Sequence, residues 1–167
     1  MLGILLAIPV LGGLTMLQTA VISRSPLLNG TADLILVGLI AWSLHERVQS
    51  AWYWALAGGL MVSYVTALPF WTMPAAYLGA VAFARLIRRR VWKAPILAML
   101  AAVFAGTVVV HLFSLLAVSV QGTLLPVIDV INLITIPSLV LNLLVALPMY
   151  VVLHDLANWA YPEEFDV

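Results

Sequence analysis

The sequence predicts an all-α integral membrane protein, a bundle of about six transmembrane helices forming one domain over residues 1–167. Three observations carry that expectation. The chain is 65% hydrophobic and only 8% charged, far from the balance a soluble domain needs to cover its surface. From Val48 to Ala84 it runs 37 residues without Asp, Glu, Lys or Arg. One span needs about 20 apolar residues for a bilayer core of roughly 30 Å, so this run suits two spans. Finally, the run ends at a burst of cations, Arg85, Arg88, Arg89, Arg90 and Lys93, which is how a cytoplasmic loop is marked.

Breaks at Arg24 to Thr31, His45 to Ser50, Leu68 to Met73, Arg85 to Ala94, Gln121 to Asp129 and after Leu153 divide the chain. The first segment, Leu2 to Ser23, has no Lys or Arg at its start and exceeds a signal-peptide core in length, so it reads as a retained helix. The second, Ala32 to Leu44, is roughly 20 Å long at about 1.5 Å per residue. It must start nearer Pro26, thin the bilayer, or sit partly buried in protein. The third and fourth, Ala51 to Ala67 and Pro74 to Ile87, share one charge-free run, and a re-entrant hairpin is an alternative to two spans. The fifth, Pro95 to Val120, and the sixth, Val130 to Leu153, are long and apolar, with Pro137 and Pro148 as kink points in the sixth.

With six spans and the amino terminus inside, Arg47 and the Arg85 to Lys93 cluster lie in the cytoplasm, and only Arg24 lies outside. That asymmetry obeys the positive-inside rule. It places both termini, including the acidic Glu163, Glu164 and Asp166, in the cytoplasm; five spans would put the tail outside without moving the basic loop. The tryptophans Trp42, Trp52, Trp54, Trp71, Trp92 and Trp159 fall near segment ends, as an interfacial belt requires. Small residues recur every four positions at Ala55, Gly59 and Ser63, at Ala76, Ala80 and Ala84, and at Ala98, Ala102 and Gly106. Such seams let helix backbones approach, which holds a bundle together or offers a face to another membrane protein.

Zero net charge without a basic, aromatic-interleaved face argues against nucleic acid as a partner. The absence of cysteine removes thiolate and zinc-thiolate chemistry. His45-Glu46 starts like a zincin motif, but position 49 is Gln, so the second ligand of H-E-x-x-H is missing. No catalytic, cofactor-binding or metal site is expected. The informative polar residues inside apolar segments are Gln18, Asp33, His111, Asn132 and Asn142. Asp33 reads as a helix N-cap or a partner for Arg24, His111 as a neutral, hydrogen-bonded packing residue, and Asn142 with Ser138 as an interhelical polar pair. A shared-proton dyad of Asp33 with Asp129 is the enzymatic alternative.

Over nearly its whole length the chain resembles the rod shape-determining MreD family. The resemblance rests on Leu17-Gln18-Thr19 ending the first helix, Arg24-Ser25-Pro26-Leu27, and Ala32-Asp33-Leu34-Ile35-Leu36-Val37. It continues through Gly59 to Ser63, the Arg-rich loop, and Asn142 late in the last helix. Ala32 stands where the family often has Pro, and Ser63 where it often has Asp, so no role of that carboxylate carries over. The resemblance implies a non-enzymatic scaffold of the bacterial cytoplasmic membrane that binds the transmembrane helix of MreC. It also implies association with MreB and the RodA and penicillin-binding protein pair in lateral peptidoglycan synthesis, with the basic loop meeting anionic lipid or cytoplasmic partners. Gln18, Arg24, Asp33, Gly59 and Asn142 become candidate interaction or structural residues. The implied fold is similar to the substrate-binding components of energy-coupling-factor vitamin transporters, which supplies a second functional reading. A third comes from Asn29 to Gly38, which resembles the Asn-x-Ala-Asp stretch of lipoprotein signal peptidases. There the partner aspartate precedes the stretch, whereas Asp129 follows it.

Overall fold

A computed structural model describes residues 2–20, 30–91, 93–123 and 125–162. These residues fold into helices without strands, arranged as six rods. The first rod is α1 (Leu2–Leu5) and α2 (Ala7–Ala20), interrupted at Leu6. Pro9 offers no N–H to the Leu5 carbonyl and its ring crowds that oxygen, so the helix breaks one turn earlier. The middle rods are α3 (Leu34–Leu44), α4 (Ala51–Ser63), α5 (Thr72–Arg90) and α6 (Pro95–Val120). The last is α7 (Val127–Val130), a π-helical segment Ile131–Thr135, and α8 (Ile136–Ala160). Pro137 explains the π segment: a wider turn keeps the proline ring off the carbonyl four residues back.

Three rods are long and apolar enough to cross a membrane: Gly3–Ala20, Pro95–Val120 and Val127–Ala160. Their outer faces carry exposed large apolar residues along their length, among them Leu97, Phe104, Leu112 and Leu116 on α6 and Leu144 and Val151 on α8. Such a surface suits lipid rather than water. In contrast, α3 is buried at all eleven of its positions. A helix that is apolar on every side suits either a protein interior or lipid, and here protein encloses it. Of the ways to accommodate a short second segment, enclosure by protein is the one observed; the helix begins at Leu34 rather than Ala32.

The small-residue seams face inward. Ala55, Ala76, Ala80, Ala84 and Ala102 have no exposed surface, and Ala98 is 4% exposed. A Cβ on Gly106 would lie 3.4 Å from that of Ala80, so α5 and α6 approach closely along these positions. Gly59 is more demanding, because a Cβ there would stand 2.5 Å from Pro74 Cα. Glycine is what lets α4 meet the start of α5. Ser63, one turn after Gly59 on the same seam, closes this hairpin, its Oγ lying 2.8 Å from the carbonyls of Gly59 and Phe70.

Several expectations are corrected. The sixth segment does not stop after Leu153; α8 continues to Ala160 because Leu153 and Ala157 still find buried positions while Asp155 points out. Arg85, Arg88, Arg89 and Arg90 are not in a loop but on the last turns of α5, where cations complement the helix dipole. Trp42 and Trp54 do not join an interfacial belt. Both are fully buried and stack at 4.2 Å with 17° between ring planes, and Trp54 Nε1 donates to the Gly3 carbonyl at 2.6 Å. Trp52, Trp71 and Trp159 are exposed, as a belt requires. The Trp54 bond brings the first helix to the end of the bundle that also holds Ser50 and Tyr161, whose hydroxyls lie 3.2 Å apart. Arg24, Trp92 and the acidic Glu163, Glu164 and Asp166 lie outside the described residues.

Candidate functional site

At the opposite end from Tyr161, residues 30–33 run as an extended strap across α8. Gly30 is the anchor, since a Cβ there would come within 2.5 Å of Ser138 N. Two residues of extended chain advance about 6.6 Å and four helical residues about 6 Å, so alternate strap N–H groups match side chains one turn apart. Thr31 N–H donates to Ser138 Oγ at 3.1 Å, and Asp33 N–H donates to Asn142 Oδ1 at 2.7 Å. Asn142 Nδ2 then donates to Thr107 Oγ1 at 3.0 Å, and the Thr107 hydroxyl in turn donates to the Val103 carbonyl at 2.8 Å. This chain of donors fixes which end of the Asn142 amide faces which neighbour. Asn142 thus makes an interhelical hydrogen bond, to Thr107 on α6, whereas Ser138 bonds the strap rather than another helix.

Asp33 also caps α3, its Oδ1 accepting from Leu36 N–H at 2.9 Å. The adjacent Ile35 N–H donates to Gln18 Oε1 at 3.4 Å. Tyr77 Oη donates into the same carboxylate, 2.9 Å from Oδ2 and 3.1 Å from Oδ1. Gln18 from α2, Asp33 from α3, Tyr77 from α5, Thr107 from α6 and Ser138 and Asn142 from α8 therefore form one polar knot joining five rods. A cleft of about 400 Å³ opens beside it, lined by Gln18, Asp33, Tyr77, His111 and Asn142 among others. His111 departs from expectation: its Nδ1 is buried and has no hydrogen-bond partner among the described residues.

Asp129 is exposed on α7 and does not line that cleft, so the two aspartates are not brought together at it. Gly59 stands away from the knot, at the α4–α5 contact. Arg24 lies outside the described residues. Among the described residues no group of three His, Cys, Asp or Glu stands close enough to hold a metal. Tyr77 and Thr107 escaped the reading of the sequence. A tyrosine within the Ala76–Ala84 seam was the available signal, because its hydroxyl needs a partner once buried.

The basic cluster divides by its contacts. Arg88 Nη1 donates to the carbonyls of Ser43 at 3.2 Å and His45 at 2.8 Å, closing the carboxyl end of α3. Arg85 Nη2 donates to Val48 and Gln49 carbonyls at 3.2 and 3.1 Å, and its guanidinium lies 5.1 Å from the Trp52 ring centroid. Arg89, Arg90 and Lys93 are exposed. Comparison of the chain with protein-family models, with curated proteins and with solved structures returned no match.

Proposed function

We propose that this chain is a six-pass scaffold of the bacterial cytoplasmic membrane that binds MreC and helps organise lateral peptidoglycan synthesis, as the MreD family does. One observation carries the reading. Gln18, Asp33 and Asn142, the polar residues on which the resemblance rests, are far apart in sequence yet meet in a single knot. Each of these side chains has its hydrogen-bond partner within the bundle, so the junction supports a structural role for them.

The arrangement of ends supports six passes. The start of the first helix, Tyr161 and the Arg85–Arg88 contacts share one end of the bundle, and the Asp33 strap occupies the other. Under the positive-inside rule the former end is cytoplasmic. The MreC transmembrane helix packs on one of the exposed apolar faces, and MreB and the RodA and penicillin-binding protein pair are reached through that complex. The cleft beside Asp33 favours, as a second reading, a transporter component that holds a small molecule there.

Co-expression with MreC separates the two. The scaffold reading expects MreC to co-purify in detergent and to crosslink without any added small molecule. Retention of a vitamin by the purified chain, with no MreC bound, would replace it with the transporter reading.

A further inference from the structure

The cleft of about 400 Å³ beside the polar knot is lined by groups that accept hydrogen bonds more than they give them. Thr19, Thr107 and Ser114 each spend their one hydroxyl proton on a backbone carbonyl of their own helix: on Thr15 at 2.9 Å, Val103 at 2.8 Å and Val110 at 2.9 Å respectively. A carbonyl only accepts, so toward any further partner these three hydroxyls act as acceptors. Tyr77 is committed in the same way, its proton lying on the Asp33 carboxylate at 2.9 Å.

Charge points in the same direction. Among the described residues the lining holds one carboxylate, Asp33, and no Lys or Arg. The donors that reach Asp33, Leu36 N–H and the Tyr77 hydroxyl, are neutral. His111 is the remaining lining group able to carry a positive charge, and its Nδ1 is buried without a partner among the described residues. An imidazolium has two N–H donors to satisfy, so this ring is neutral. A carboxylate drawn into the bundle with no cation beside it is costly, and a protonated amine supplies both the missing charge and up to three donors. Size and the remaining wall separate an organic cation from an inorganic one. A water occupies about 30 Å³, so a bare ion would leave most of the cleft to solvent. Leu36, Val62, Val65 and Val110 line the space as well, and such a wall rewards an apolar body.

We propose that this cleft binds a small organic amine in its ammonium form. The charge lies against Asp33, the N–H donors reach the hydroxyl oxygens of Tyr77 and Ser114, and the apolar body rests on Leu36, Val62 and Val110. With the cationic end of the bundle in the cytoplasm, the amine enters from the outer face of the membrane. The proposal rests on the small-molecule reading of this cleft and names the class of ligand; it does not depend on MreC binding.

Isothermal titration of the purified full-length chain in detergent, against detergent blanks, tests it with 2-phenylethylamine and with the neutral isostere 2-phenylethanol. The amine should bind saturably and the alcohol about tenfold more weakly or less. Asp33→Asn keeps an acceptor for Leu36 N–H but removes the charge, and affinity for the amine should fall about tenfold. Val65→Lys, at a position 62% exposed on the lining, brings an ammonium of the chain's own to the cleft and should suppress amine binding. Unchanged affinity in Asp33→Asn would overturn the proposal, as would equal binding of the alcohol. Displacement of the amine by sodium at concentrations where tetramethylammonium has no effect would make the site an inorganic cation's and overturn it too. Binding by Arg24→Gln but not by the parent would make the chain's own guanidinium the occupant, with the same consequence. Should Asp33→Asn fail to fold, Val65→Lys decides the matter. A neutral or anionic vitamin retained on purification would refute the amine while supporting the transporter reading, so failure of the one is distinguishable from failure of the other.

Discussion

Asp33→Leu is the perturbation that most directly interrogates the polar knot. The substitution removes the cap on Leu36 N–H, which is worth about 1 kcal/mol. It also strands the Tyr77 hydroxyl, which is buried with its ring 1% exposed and donates to no other described group. An unsatisfied buried hydroxyl costs about 1–3 kcal/mol. The sum is about 2–4 kcal/mol, and at roughly 2–4 °C per kcal/mol for a chain of this length the melting temperature in detergent should fall by about 10 °C. Asp33→Asn retains an acceptor for Leu36 and a polar partner for Tyr77, so its loss should be about 1 kcal/mol. A double-mutant cycle sharpens the test. In a Tyr77→Phe background there is no hydroxyl to strand, and Asp33→Leu should then cost about 1–3 kcal/mol less than in the parent. Thermal unfolding monitored by loss of the monodisperse peak measures all four proteins. Additive effects, or an Asp33→Leu protein as stable as the parent, would refute the structural role of the carboxylate. Loss of signal-peptide cleavage in cells carrying Asp33→Asn would go further and reveal an enzyme.

Gly59→Ala should destabilise by about 1–3 kcal/mol because the new methyl meets the Pro74 backbone, whereas Gly12→Ala, with nothing within 4 Å of its Cβ, should be tolerated in the same melting assay. Arg88→Gln should lower the melting temperature by several degrees through the lost contacts to Ser43 and His45 carbonyls, at about 1.5–3 kcal/mol for a hydrogen bond to a charged group. Arg89→Gln and Arg90→Gln, both at exposed positions, should stay within about 0.5 kcal/mol of the parent in the same measurement.

Composition and local spacing determined a good deal about this chain. The limits of α6, Pro95 and Val120, are those the charge-free run and the proline at its start announce. The alanine and glycine seams turn inward because four-residue spacing places them on one face whatever the surroundings, and close approach of backbones rewards that face. Asp33 caps α3 for an equally local reason: a carboxylate just before an apolar helix finds the N–H three residues on. Tertiary structure decided the rest, because it depended on what lies across the bundle. The second segment can be short because the other five rods all pack against it, and no property of residues 34–44 alone distinguishes enclosure from a thinned bilayer. Trp42 and Trp54 look like interfacial residues by position, yet each supplies the other with a stacking face and α1 supplies a carbonyl for the Trp54 indole. Tyr77 reaches Asp33 across 44 residues of sequence, and Asn142 reaches the strap across 109. Hydrogen bonds of such separation leave no periodicity behind them. Sequence could therefore name the polar residues that must be satisfied, while only the packing of α2, α3, α5, α6 and α8 settled which of them satisfy one another.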